Sequence, residues 1–202
     1  MLDLTKGELS LLTKLSTPIK IQDFLDRLPM NFEKRGDTHY SPREVLKHWS
    51  AHCIEGALFA AAALWVHGEE PLIMDLLAEE GDDDHVVALY KRNGAWGAIS
   101  KTNHASLRFR DPVYRTPREL ALSYFHEWFK NSDGQKTLRY YSSPWNLKKV
   151  GEGWVTAADV WHVSAALDSI PHHAVIPVGN TRYVRPADHM ERRAGKLVEW
   201  KP

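Results

Sequence analysis

An α+β fold in one domain spanning 1–202 is what the sequence predicts, with a cysteine-bearing helix packed on an antiparallel sheet and extra helices at both ends. Three observations carry that prediction. The stretch SPREVLKHWSAHCIEGALFAAAALWVH, Ser41 to His67, holds the longest apolar helical run together with the only cysteine, Cys53. The stretch DHVVALYKRNGAWGAIS reads as a hairpin: Val86 to Tyr90 form one strand, Asn93-Gly94 the turn and Trp96 to Ser100 the return. Helix-start signatures recur on both sides, at Thr5 with Glu8, at Thr116-Pro117 with Glu119, and at Thr156 with Asp159.

In chain order, the Thr5–Glu8 capping box precedes Leu9, Leu11, Leu12 and Leu15 and predicts a short amphipathic helix, ended by Thr17-Pro18. Ile21, Phe24, Leu25 and Leu28 recur at helical spacing up to Pro29, and polar Asn31 to Tyr40 then makes a loop. Ser41, Pro42 and Glu44 start the next helix, with Ser50 offering a second cap so that Cys53 falls in the first turn of the helix that follows. Gly68 and Pro71 stop that helix, and the apolar run Leu72 to Leu77 and an acidic loop, Glu79 to Asp84, lead to the hairpin. Leu107 and Phe109 alternate with Arg108 and Arg110 as a strand that Asp111-Pro112 ends. A helix is predicted over Arg118 to Lys130, and Lys136 to Tyr141 reads as a strand. Thr156 and Asp159 cap a helix through Leu167, and His173–Val178 with Arg182–Val184 read as a β-pair joined by Gly179-Asn180. The charged tail from Ala187 reads as loosely held, with Leu197, Val198 and Trp200 as docking points. The core of the domain is expected over about 41–130 and a C-terminal extension over about 145–202.

Composition removes several function classes. The 26 basic and 26 acidic residues cancel, so no global field recruits nucleic acid or anionic lipid. The longest apolar run, Ala57 to Val66, is about half of a membrane span, so no membrane partner is expected. One cysteine excludes an intrachain disulfide and the N-terminus lacks a signal-peptide pattern, which makes the cytoplasm the expected location. Phosphate-loop, dinucleotide and nucleophile-elbow motifs do not occur, and the histidines, His162, His172, His173 and His189 among them, lack metal-ligand spacing. Neither a cofactor nor a metal is expected.

The chemistry therefore centres on Cys53. A thiol in the first turn of a helix meets unpaired N–H groups and the positive dipole end, one route to a depressed pKa and a usable nucleophile. The bland alternative is a small buried apolar residue in an alanine-rich helix. His85 opens a strand and is the candidate base. Cys53 with Ala57 as C-x-x-x-A on a helix, His85 at a strand start, and Trp96 with Ser100 at the end of the next strand resemble the transglutaminase-like branch of the papain-type cysteine enzymes. That resemblance implies acyl transfer from an amide or peptide bond, to water or to an amine, on a peptide or protein substrate. The chain departs from the family where W-x-x-x-D becomes Trp96 to Ser100. Asn103, the residue type of the papain branch, is placed slightly ahead of Ser100 as the group orienting His85, then Asp111. Glu55 is expected to face away from Cys53 toward the surface. His52, Trp49 and Trp96 are the candidate substrate-binding residues, each also explicable as helix surface or core. The missing aspartate keeps open a noncatalytic peptide- or protein-binding member of the same fold.

Overall fold

A computed structural model describes residues 2–34 and 36–202; Arg35, inside the predicted Asn31–Tyr40 loop, lies outside the described residues. The chain builds an open antiparallel sheet with helices on both faces. Its strands are β1 (Leu72–Ala78), β2 (His85–Arg92), β3 (Ala95–Ile99), β4 (Arg110–Tyr114), β5 (Leu138–Ser142), β6 (Trp145–Asn146) and β7 (His172–Ala174), in the order β4-β3-β2-β1-β5-β7 with β6 also paired to β1. The helices are α1 (Lys6–Lys14), α2 (Pro18–Arg27), α3 (Pro42–His48), α4 (Cys53–Val66), α5 (Pro117–Phe125), α6 (Trp161–Asp168) and α7 (His189–Gly195).

Central β1 was legible only as an apolar run, because a strand covered on both faces shows no alternation. Ile73 packs into the cluster that holds α4, while Met74 and Leu76 belong to the opposite cluster with Leu120, Ala121 and Tyr124 of α5. The β2–β3 turn needs positive φ at both central residues, and Asn93 at 50° and Gly94 at 83° supply it. The α4 helix is buried on nearly every side, against α1, α2, α3 and Val160, Val163 and Leu167 around α6.

One close approach fixes where α4 begins relative to the sheet. A Cβ on Gly56 would lie 2.3 Å from Lys101 Cβ, so only glycine lets the first turns of α4 meet the segment after β3. Lys101 is itself buried, and its ammonium donates to Leu25 O (2.9 Å) and Leu28 O, satisfying the C-terminal carbonyls of α2. Gln22 of α2 holds the neighbouring backbone from both sides, donating to Ser100 O (2.8 Å) and accepting from Ser100 N (2.9 Å).

Several predicted boundaries are corrected. Asp111-Pro112 lies inside β4 rather than ending a strand; β4 is the sheet edge, where proline costs no ladder bond. The helix predicted to Lys130 stops at Phe125, and Trp128 and Phe129 turn back so that Thr137 N donates to Trp128 O. The Thr156 cap is absent: α6 starts at Trp161 behind a 3₁₀ turn, Gly153–Val155, that buries Trp154. The predicted β-pair over 173–184 does not form, since β7 pairs with β5 and Thr181–Tyr183 is a 3₁₀ turn. The tail is docked: Asp188 and Glu191 cap α7, and Ala105 N donates to Leu197 O while Glu199 N donates to Asn103 O.

Candidate active site

The break between α3 and α4 places the thiol. Ser41 caps α3, which ends at Trp49 in the left-handed region with φ 53°. The chain then pairs with the segment after α2, Ala51 N donating to Pro29 O and Asn31 N to Ala51 O. The cap of α4 is His52 rather than Ser50, and the Glu55 carboxylate accepts from His52 N at 2.9 Å. Cys53 is therefore the first helical residue, half-buried, at the positive end of the α4 dipole. Burial pushes its thiol up, but hydrogen bonds to His52 and His85 and the charge of both rings overcome this and hold it at about 5.

His85 is the first residue of β2 and is buried, its ring edge-on to Trp128 at 6.0 Å. Its Nε2 lies 2.8 Å from Ser100 Oγ. Ser100 has one hydroxyl proton, and it goes to Leu107 O at 2.5 Å, an atom that can only accept. Ser100 Oγ must then accept from His85 Nε2–H. In neutral His85 the lone pair is consequently on Nδ1, the nitrogen left for the Cys53 thiol. Leu107 holds its carbonyl there from a positive φ of 58°, a conformation a branched side chain adopts at a cost.

Asn103, ranked ahead of Ser100 as the ring's partner, is not at His85: its amide donates to Trp200 O (3.0 Å) and accepts from Trp200 N (2.8 Å). The backbone of 103–105 runs as a short ladder with the tail, which draws that side chain away from the site. Asp111 is exposed on the edge strand. Asp84 sits next to the site in another way, its carboxylate accepting from Ala78 N (2.7 Å) and its carbonyl oxygen 4.0 Å from Cys53 Sγ.

Glu55 does not face the surface. It is fully buried and accepts from Thr38 Oγ1 (2.8 Å), Tyr40 N (2.9 Å), Asn31 Nδ2 (3.1 Å) and His52 N (2.9 Å). The helical-wheel argument fails here because a residue at the third helical position folds back over the cap rather than standing out from the helix. The sequence signal was the spacing of Glu55 three residues after His52. Through these bonds Glu55 shapes the 31–40 loop, and its carboxyl is held below the usual range because the bonds and charge of His52 outweigh burial. His52 Nδ1 lies 3.9 Å from Cys53 Sγ, and His52 Nε2 lies 2.9 Å from Thr38 O, 3.3 Å from Glu55 Oε1 and 3.5 Å from Glu33 Oε1.

Cys53, His52 and His85 line a cleft of about 820 Å³ walled by Asn31 to Glu33, the acidic turn 81–84, Lys101 to His104, and Glu127 to Ser132. Trp49 and Trp96 are not among its walls. Trp49 is half-exposed and edge-on to Phe24 at 5.6 Å, on the other side of the left-handed turn. Trp96 points from β3 to the opposite side of the sheet, under Lys91 Nζ at 4.0 Å. The aromatic wall is instead Trp128, with Phe32 and Phe129. Among the described residues no group of three or more His, Cys, Asp or Glu is placed to hold a metal ion: His172 pairs with Asp75 (3.1 Å) and His173 with Ser143 (2.8 Å). No helix among them is long and apolar enough to cross a membrane. No family model and no curated protein sequence matches the chain.

Proposed function

We propose that the protein is a cysteine-nucleophile enzyme of transglutaminase-like, papain-type character that acts on an amide or peptide bond through Cys53 and His85. The observation that carries this reading is the pairing of a thiol at the first position of α4 with a histidine whose Nε2 proton is committed to Ser100, leaving Nδ1 for the thiol. The Cys53 thiolate adds to the carbonyl carbon, forming a C–S bond and moving an electron pair onto the carbonyl oxygen. The N–H groups of the first turn of α4, unpaired within the helix, are donors for that oxyanion. As the C–N bond breaks, the amine takes the proton on His85 Nδ1. The acyl-thioester is then attacked by water or an amine, which gives its proton to the same nitrogen, and the thiolate leaves. The reaction needs no cofactor. A cytoplasmic setting, where a lone thiol stays reduced, belongs to the same proposal.

The test is a panel of peptide amides incubated with and without an added primary amine, using wild type and Cys53→Ala. Release of amine by wild type and none by Cys53→Ala is the expected result; activity that survives the substitution rules the mechanism out. Capture of added amine into product distinguishes transfer from hydrolysis. The second reading, a noncatalytic peptide-binding member of the fold, is favoured by Ser100 standing where the family carries aspartate. Peptide binding without turnover in wild type would select it.

A further inference from the structure

The two imidazoles at Cys53 differ in what surrounds them, and the difference assigns them different work. Around His52, the partners of Nε2 among the described residues are all acceptors: Thr38 O, Glu55 Oε1 and Glu33 Oε1. A carbonyl and carboxylates cannot donate, so Nε2 carries a hydrogen in every protonation state of the ring. One proton is then left between His52 Nδ1 and Cys53 Sγ, 3.9 Å apart. Two carboxylates on the far side of the ring favour that proton on nitrogen, and the α4 dipole favours negative charge on sulfur. A further titratable neighbour among the described residues, His39, lies with its ring 5.9 Å from that of His52 and is pushed toward the neutral form by burial and then by the His52 charge. His85, which lines the same cleft, meets a neutral hydroxyl rather than a carboxylate.

We infer that His52 is the standing counterion of the Cys53 thiolate, held as imidazolium by Glu55 and Glu33, and that His85 alone exchanges protons during the reaction. This rests on the proposed function and deepens it. The thiol proton moves from Sγ to His52 Nδ1 and stays there through the cycle. His85 enters the cycle as imidazolium, with a proton on Nδ1 as well as on Nε2; the proton that Nδ1 gives to the leaving amine is recovered from the attacking water or amine, so each turnover balances without His52. The acid limb of the pH profile belongs to the Cys53–His52 pair.

The experiment is the rate of iodoacetamide alkylation of the full chain against pH, which reads the thiolate and needs no substrate. His52→Asn keeps a residue favoured at a helix cap, so α4 retains its start. Its alkylation midpoint is expected to rise by more than one unit, slowing the reaction at pH 5 by about fivefold or more. Glu55→Gln, which removes charge while keeping the carbonyl acceptor, should move the midpoint in the same direction by less, and serves if His52→Asn does not fold. His85→Asn should shift it less than His52→Asn does. An unchanged midpoint in a folded His52→Asn protein, or a larger shift in His85→Asn, overturns the role of His52 while leaving Cys53 and His85 as the reacting pair. A wild-type thiol that stays unreactive below pH 8 would instead remove the nucleophile, and with it both the proposed function and this inference.

Discussion

At the level of single residues, the site depends on who donates and who accepts. The His85 ring is oriented by a hydroxyl whose own proton is committed to Leu107 O, so Ser100→Ala removes the acceptor that holds Nε2. The expected outcome is a loss of kcat of about tenfold to a hundredfold in amide cleavage, with KM little changed, since a mis-set ring affects the transition state and not binding. Asn103→Ala should leave kcat near wild type, because that side chain holds Trp200 and not the ring. Steady-state kinetics on the two variants side by side checks both. Sequence order alone could not separate these two candidates. Both follow the return strand and both types serve as orienting groups, and the choice was made by a tail almost a hundred residues further on. The positions of Cys53 in the first turn of a helix and of His85 at a strand start were readable because both are local signals, although the cap is His52 and not Ser50. Trp49 and Trp96 were not placeable as cleft or core, since an aromatic side chain's face depends on where the backbone turns.

Elements are placed by a few polar residues buried between them. Gly56 and Lys101 bring the start of α4 against the end of β3, and the Lys101 ammonium closes α2 in the same place. Gly56→Ala would force the new methyl onto Lys101 and is expected to destabilise by about 1–3 kcal/mol in urea unfolding. A second buried polar contact lies across the sheet. Asp75 of β1 faces His172 Nε2, and His172 Nδ1 donates to Ile170 O, so a single proton is shared between carboxyl and ring. Burial raises the Asp75 carboxyl to about 6, against the bond to His172 that lowers it. A carboxyl whose folded pKa lies above its unfolded value binds its proton more tightly when folded. Its contribution is present below about 4 and declines as pH rises toward 6. Asp75→Asn, which keeps a donor to Nε2, should therefore melt roughly 2–4 °C above wild type at pH 7.5 and show no gain at pH 4. Thermal melts at the two pH values decide it. Helix starts were readable from their capping side chains at Thr5, Ser41 and Thr116, while the Thr17 cap reads in the sequence as a helix end and the Asp188–Glu191 box goes unread in the charged tail. α6 was misplaced because Val160 begins it with no side-chain cap.

For the whole molecule, the sheet draws in the C-terminal third of the chain through β5, β6 and β7, and the last residues return to the cleft. Residues 197–200 pair with 103–105, and α7 is tied by Arg192 to Asn131 O, so the tail braces the rim that follows Ser100. Removing 196–202 is expected to leave the melting temperature close to wild type, since the segment is mostly exposed, while raising amide exchange across 101–108. Hydrogen-exchange mass spectrometry on the shortened chain measures this. The fold class and the central hairpin were legible because both are written in local periodicity. The sheet's centre, its order and the docked tail were not, because they follow from long-range pairing.

The contact between Ser100 and Leu107 also limits how this site can change. A serine can give a proton to one neighbour while receiving one from another; an ionised aspartate can only receive. Writing an aspartate into position 100 would set its negative charge against the Leu107 carbonyl, which is fixed in place by its left-handed backbone. Position 100 and the 105–108 loop are therefore epistatic. The route from this serine to an aspartate passes through a loop rearrangement first, and Ser100→Asp made alone should be worse than Ser100→Ala.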